Sequence, residues 1–519
     1  MKNYIKIVAL SAVFLTACEA ELDNPIEDGG VYTSGSVDFS NYVAVGNSLT
    51  SGYADGALYI TGQQNSFPNI LAGQFALVGG GEFTQPLMND NLGGLVNGGT
   101  ALPGFQNRFV LSVDGSGNPG PVRLEGSATT DITNILSGPF NNMGVPGAKS
   151  FHLVAPSYGN IANLPAANPY FVRFASSPNA TVIADAVAQS PSFFSLWIGN
   201  NDILSYATSG GVGVDQKGNL NPASYGPNDI TDPNVFASVY SQEVEALDGS
   251  ATGGVLFNIP DVTSIPFFTT VPNNALVLTA EQAASLTGFF RAVSGIFIQG
   301  AIQQGVPATQ AQALGAQYAI TFSAGPNRFI IDVPVTQTNP LGFRQMTQNE
   351  LLLLTINQAA LRTQGYGSVA LSPQVLQVLG KLQQQMQITP QEAGLVLAAV
   401  NGIDDKDSLD TAELTAIANA QTAYNATISN VAQARGLALV DARATLQQLA
   451  NGGISYDAGT LTSTFATGGA FSLDGVHPTP RGYAYLANLA IDAINATYGS
   501  TVPKVNIGDY NTITASQAN

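Results

Sequence analysis

The sequence predicts an α/β protein with a mainly parallel sheet. Three observations carry this reading. Four short, continuous apolar runs are each bounded by glycine or polar residues, which is the pattern of strands covered on both faces. Stretches with helical periodicity and capping signals lie between them, so strand and helix alternate. The chain has 519 residues, 45% of them hydrophobic, with 55 Gly and 28 Pro, which is globular composition with enough apolar material for a full core.

At the N-terminus Lys2 and Lys6 precede a mostly apolar stretch, Ile7 to Ala17, that is too short to span a bilayer. Leu15-Thr16-Ala17-Cys18 resembles a bacterial lipoprotein signal, whose cysteine is acylated and becomes the first mature residue. Residues 1–18 are therefore expected to be a signal with a lipidated Cys18. They would hold the chain in the bacterial cell envelope, at the outer membrane, by lipid rather than by a spanning helix. Residues 19–38 carry Glu19, Glu21, Asp23, Glu27 and Asp28 with no base, then Gly29-Gly30, and read as a flexible acidic tether.

The folded part, 39–500, opens with Tyr42-Val43-Ala44-Val45, halted by Gly46. Phe193 to Ile198 is halted by Gly199, and Val255-Leu256-Phe257 and Leu437 to Val440 complete the set of strands. Thr279 to Gln282, Thr347 to Glu350 and Thr389 to Glu392 have the spacing of capping boxes and should each open a helix. Leu486, Leu489, Ala490, Ala493 and Ile494 mark one face of a final helix, followed by a tail over 501–519. Two regions fit the alternation poorly and read as insertions. Residues 76–130 are rich in Gly and Asn, as in a loop or irregular β excursion, while 266–415 is dominated by capped helices. Asp404-Asp405-Lys406-Asp407 lacks the ligand spacing of a calcium loop and reads as a solvated turn before a helix at Asp410.

Charge and rare residues exclude several function classes. Seventeen Lys+Arg against 35 Asp+Glu leave a net charge of −18, the wrong sign for neutralising nucleic-acid phosphates. One Cys and two His allow neither a disulfide framework nor a Cys/His zinc cage.

The residues that carry chemistry stand at the two ends of the folded part. Gly46-Asn47-Ser48-Leu49 puts a serine just past the first strand, where open α/β sheets place active sites. Alone, that tetrapeptide reads better as a turn, since strand-loop junctions often contain Gly and Ser. Near the other end lies Asp474-Gly475-Val476-His477-Pro478. A serine nucleophile needs a base, and the base needs an acceptor on its far nitrogen to fix tautomer and orientation. Asp474, three residues before His477, can fold back onto that nitrogen within one turn. Acyl transfer also needs donors for the developing oxyanion. Gly144, in Asn142-Met143-Gly144, and Asn201, in Gly199-Asn200-Asn201-Asp202, follow predicted strands and are candidates, with turn formation as the alternative for each.

In order, Ser48, Gly144, Asn201 and His477 resemble the four sequence blocks of the SGNH hydrolases, the GDSL lipase/esterase family. The likeness spans Gly46 to His477 as short blocks and leaves out the two insertions. It implies a flavodoxin-like three-layer α/β/α fold with Ser48 as nucleophile, His477 as base and Asp474 as the residue orienting it. It also implies an oxyanion hole from the amides of Ser48 and Gly144 and the side chain of Asn201, with no metal or organic cofactor. Asn47 departs from the aspartate usual in the family. The expected activity is carboxylic ester hydrolysis through an acyl-enzyme, on a lipid or an acylated glycan. A carbohydrate O-deacetylase of the same fold and a non-catalytic surface-binding lipoprotein are the alternatives. The apolar stretches within 266–415 either pack on each other and the core or wall an acyl groove beside Ser48.

Overall fold

The computed structural model of the chain describes residues 32–115 and 117–515. The expected signal, Cys18 and most of the expected tether lie outside the described residues.

Five strands form one sheet: β1 (Tyr42–Gly46), β2 (Asn142–Gly144), β3 (Phe193–Trp197), β4 (Gly253–Phe257) and β5 (Ala438–Val440). All pair in parallel, in the order β2-β1-β3-β4-β5. That is the strand order of flavodoxin-like doubly wound sheets, in which the switch point falls between β1 and β3. The four apolar runs supply β1, β3, β4 and β5. Each buries every residue of its strand except Leu439, as expected for strands covered on both faces. At the edge, β2 is only the three residues Asn142–Gly144 themselves rather than a strand preceding them.

Side-chain alternation sorts the helices into two layers. Tyr42, Phe193, Trp197 and Phe257 point to one face, where their rings meet Phe67 and Phe75 of the helix Phe67–Phe75 and Tyr498 of the helix Pro480–Tyr498. The helices Val182–Val187, Pro233–Asp248 and Thr411–Arg435 pack together on the other face, with Phe236 stacked on Tyr424 at 4.2 Å. The final helix buries Tyr483, Ala484, Ala487, Ala490, Ile491 and Ile494, so Leu486 and Leu489 stand at the edge of the apolar stripe rather than at its centre.

Two expectations need correction. Residues 33–38 are not tether: Ser36 donates its amide to Tyr498 O at 3.0 Å, Thr501 donates to Thr33 O at 2.9 Å, and Val37 is buried in the main core. The stretch after 501 is packed as well, with Val502 and Ile507 buried and Leu111 donating to Thr514 O at 2.9 Å. Thr347 to Glu350 opens no helix. Glu350 is buried against Arg344, and Leu351–Leu352 pairs as a strand with Ser408–Leu409. Glu350 still accepts the Thr347 amide at 2.6 Å, half of the expected box, but it also holds Arg344 and Thr411, and the chain goes on as a strand.

The expected insertion at 266–415 mixes helices with short antiparallel ladders, among them Leu276–Leu278 with Gly325–Asn327 and Ile330–Asp332 with Phe343–Gln345. Thr279 and Thr389 do cap helices, each by a reciprocal box. One helix, Ala280–Gln303, is long and apolar enough to cross a membrane by length and composition. Its Leu286, Phe289, Phe290 and Val293 pack instead into the region's own core with Tyr318, Ile330, Phe343 and Val378. The excursion near 76–130 is a three-stranded patch and a hairpin, Phe109–Val113 with Pro119–Arg123.

Candidate active site

Ser48 is the first residue of the short helix Ser48–Ser51, one residue beyond β1. The chain turns there because Gly46 has no side chain. A Cβ at Gly46 would lie 2.2 Å from Thr50 Oγ1 and 2.4 Å from Trp197 O. Asn47 caps the turn, its Oδ1 accepting the amide of Leu49 at 3.0 Å. An aspartate there would cap equally well, so the asparagine changes charge and not loop geometry. Ser48 is 7% exposed, and its hydroxyl donates to Nε2 of His477 at 2.9 Å.

His477 Nδ1 donates to Asp474 Oδ2 at 2.8 Å. A carboxylate only accepts, so the proton sits on Nδ1 and leaves the Nε2 lone pair facing Ser48. The ring also rests on Tyr53, centroids 4.6 Å apart. Asp474 is saturated with donors. Its Oδ1 accepts the amides of Val476 and His477, each at 2.8 Å, and the Ser472 hydroxyl at 3.1 Å, while Oδ2 also accepts the Gly56 amide at 2.9 Å. Burial alone would raise its pKa; the His477 charge, the ring contact and the backbone amides together hold it down at about 2. Gly475 makes the turn possible at φ +72, packed against Phe267 and Leu354. Phe267 donates to Gly475 O at 2.9 Å, so the insertion braces this turn from behind.

The two expected oxyanion donors fare differently. Asn201 begins the helix Asn201–Thr208 after β3, across the switch point from Ser48. Its Nδ2 donates to Ala148 O at 2.9 Å, which fixes which end of the amide is nitrogen and leaves that nitrogen a second hydrogen. Gly144 ends β2 opposite Gly46, but its amide is engaged. Its amide donates to its neighbour's side chain, Asn142 Oδ1, at 3.0 Å, and it backs onto Ser51. A two-residue side-chain-to-backbone bond took the donor. Farther along the same loop, Gly147 is exposed with φ +80, immediately before the carbonyl-bearing Ala148 that holds Asn201. Ser150 ties the loop down, donating its amide and hydroxyl to the buried Asp202 at 2.8 and 2.7 Å.

Sequence reasoning missed Asp55. This residue has φ +53, and its amide donates to Ser472 Oγ at 2.9 Å. Its carboxylate accepts the Leu473 amide at 3.0 Å and the Tyr59 hydroxyl at 2.8 Å, with Arg108 of the excursion 3.9 Å away. Through Ser472, the loop after β1 and the excursion hold the segment that carries Asp474. No local spacing signals its role, since its partners on the Asp474 segment, Ser472 and Leu473, lie over 400 residues away.

Ser48, His477, Asn47, Asn200 and Asn201 open onto one cavity of about 100 Å³. Away from that polar end its walls are mostly apolar, with Thr445 and Tyr485 among them, and they come from Leu49, Trp197, Leu204 and the segments around 260–265 and 442–486. No residue of 266–415 lines it, so the expectation that this region walls a groove beside Ser48 is not met. Among the described residues, no group of three or more His, Cys, Asp or Glu could hold a metal ion. No family model, curated protein or solved structure matches the chain, and the site is defined by its own geometry.

Proposed function

We propose that the protein is a serine ester hydrolase of the SGNH type, acting in the bacterial cell envelope and held there by an acylated Cys18. The observation that carries this is the unbroken line Ser48 Oγ to His477 Nε2 at 2.9 Å and His477 Nδ1 to Asp474 at 2.8 Å, at the carboxyl end of the sheet beside its switch point.

In this mechanism Ser48 Oγ attacks the ester carbonyl while its proton passes to Nε2. The imidazolium that forms is stabilised by the buried Asp474 carboxylate. The second hydrogen of Asn201 Nδ2 and the amide of Ser48, which as the first helical residue has no partner within the helix, would hold the oxyanion. Gly144, the expected third donor, would contribute once its amide leaves Asn142 Oδ1. Collapse of the intermediate expels the alcohol, protonated by His477. Water, activated by the same base, then hydrolyses the acyl-enzyme.

The test is hydrolysis of p-nitrophenyl esters by the wild type, Ser48→Ala and His477→Ala. Each substitution should lower kcat by about 10³-fold or more, because the residues act as a unit. Wild-type-like turnover in either variant overturns the mechanism.

A further inference from the structure

We infer that the cavity beside Ser48 is a slot for an aliphatic acyl chain of about eight carbons, which makes medium-chain acyl esters the substrate class. The inference rests on the ester-hydrolase reading and deepens it. Leu49, the residue after the nucleophile, forms one wall, while Val262, Ile265, Leu446, Leu461 and Phe471 form the others. Asn47, Ser48, Asn200, Asn201 and His477 supply most of its polar side chains, and beyond them Trp197, Thr445 and Tyr485 carry the remaining polar atoms of a lining that is otherwise aliphatic and aromatic. A chain entering from Ser48 therefore meets mostly hydrocarbon and aromatic surface. Sugar hydroxyls placed there would lose their hydrogen bonds to water and find few replacements.

Size and chemistry both assign the slot to the acyl side. A water-sized group needs roughly 10–15 Å³ of such volume, so about 100 Å³ admits about seven to ten groups the size of a methylene. The alcohol leaves after the first step, but the acyl group stays bonded to Ser48 until water arrives. A wall built around the nucleophile serves the group that remains. The slot also places specificity on the last quarter of the chain, because Leu446 and Leu449 belong to the helix Ala442–Asn451 and Tyr485 and Leu486 to the final helix.

The experiment measures kcat/KM of the full-length protein on p-nitrophenyl esters from acetate to dodecanoate, beside alkyl acetates from ethyl to octyl. Values should rise up to about fourfold per added acyl methylene, to about eight carbons, and then level off. Leu446→Trp, which fills the slot, should move the optimum to shorter chains. Leu446→Ala should move it to longer ones. Leu376→Ser, on the exposed side of the insertion, should leave the profile where it is. Preference for acetyl esters, a rise with alcohol length alone, or one optimum shared by the wild type and both Leu446 variants overturns the slot. Calorimetry with octanoate and acetate reads the slot without catalysis, and equal affinities overturn it too. If Ser48→Ala keeps full turnover while octanoate binds more tightly than acetate, the mechanism fails and the slot stands.

Discussion

Replacing Asp474 by asparagine tests how the base is set. The carboxylate accepts from five donors, three on Oδ1 and two on Oδ2. Asparagine must put an NH₂ where one oxygen was. At the Oδ1 position that group would face two backbone amides and a hydroxyl; at Oδ2 it faces one backbone amide and the imidazole. The second placement costs less, and it forces His477 Nδ1 to become the acceptor. The ring proton then moves to Nε2, where it blocks acceptance of the Ser48 proton. A wrong tautomer of this kind lowers kcat by about 10⁴ with the geometry intact. Stability falls as well. Lowering the pKa from 3.8 to about 2 corresponds to about 2 kcal/mol of preference for the ionised form. Because the folded value is depressed, that stability is present above the unfolded value and is lost as pH falls through about 2. Asp474→Asn should therefore unfold at lower urea at pH 7, and kcat on p-nitrophenyl octanoate should fall by about four orders of magnitude. A kcat within tenfold of wild type in a folded variant would refute the tautomer argument.

Asn201→Ala should cost about 10²–10³ in kcat, the size of one oxyanion donor, and an effect confined to KM would mean that the amide binds the ground state instead. His152 is buried against Tyr158 and Lys149, and burial, with the Lys149 charge, lowers its pKa from 6.5 to about 4. The unfolded chain binds this proton first, so stability should fall by up to about 3 kcal/mol as pH drops from above 6.5 to 4; urea unfolding of the wild type and His152→Gln at pH 7.5 and 4.5 checks it, and identical acid losses would refute it. Glu350→Gln should destabilise by roughly 2 kcal/mol, less than for a fully buried pair because the Arg344 side chain is 32% exposed. Urea unfolding followed by intrinsic fluorescence measures it, and an unchanged midpoint would show that the pair contributes nothing net.

Four of the five sheet strands were legible in the sequence. A strand buried on both faces must be apolar at consecutive positions, and that requirement is written locally. The helices capped at Thr279 and Thr389 were legible for the same reason, since each cap closes within three residues. So was the Asp474–His477 contact, which one tight turn completes. Thr347 to Glu350 has the same local signature and closes half of the box, yet Leu351–Leu352 pairs as a strand with Ser408–Leu409 and Glu350 also holds Thr411, and local pattern cannot weigh such distant partners against a helix.

What only the tertiary structure decided is where distant segments meet. Ser48 and His477 lie 429 residues apart and come within 2.9 Å because β1 lies inside the sheet, between β2 and β3, and the segment before the final helix returns across its carboxyl end. Gly144 stands opposite Gly46, and its amide is held by Asn142 Oδ1, a partner that the spacing of a loop glycine does not announce. The apolar stretches of 266–415 and those of 442–486 look alike as sequence. The first close on cores of their own and, through Phe267, Phe268 and Leu353, on the main core, while the second border Ser48. By itself, the sequence determined which residues could form strands, caps and a base with its acid, because those depend on neighbours a few positions away. Which amides stay free and which apolar faces reach the nucleophile depends on packing between segments hundreds of residues apart, and only the fold decides that.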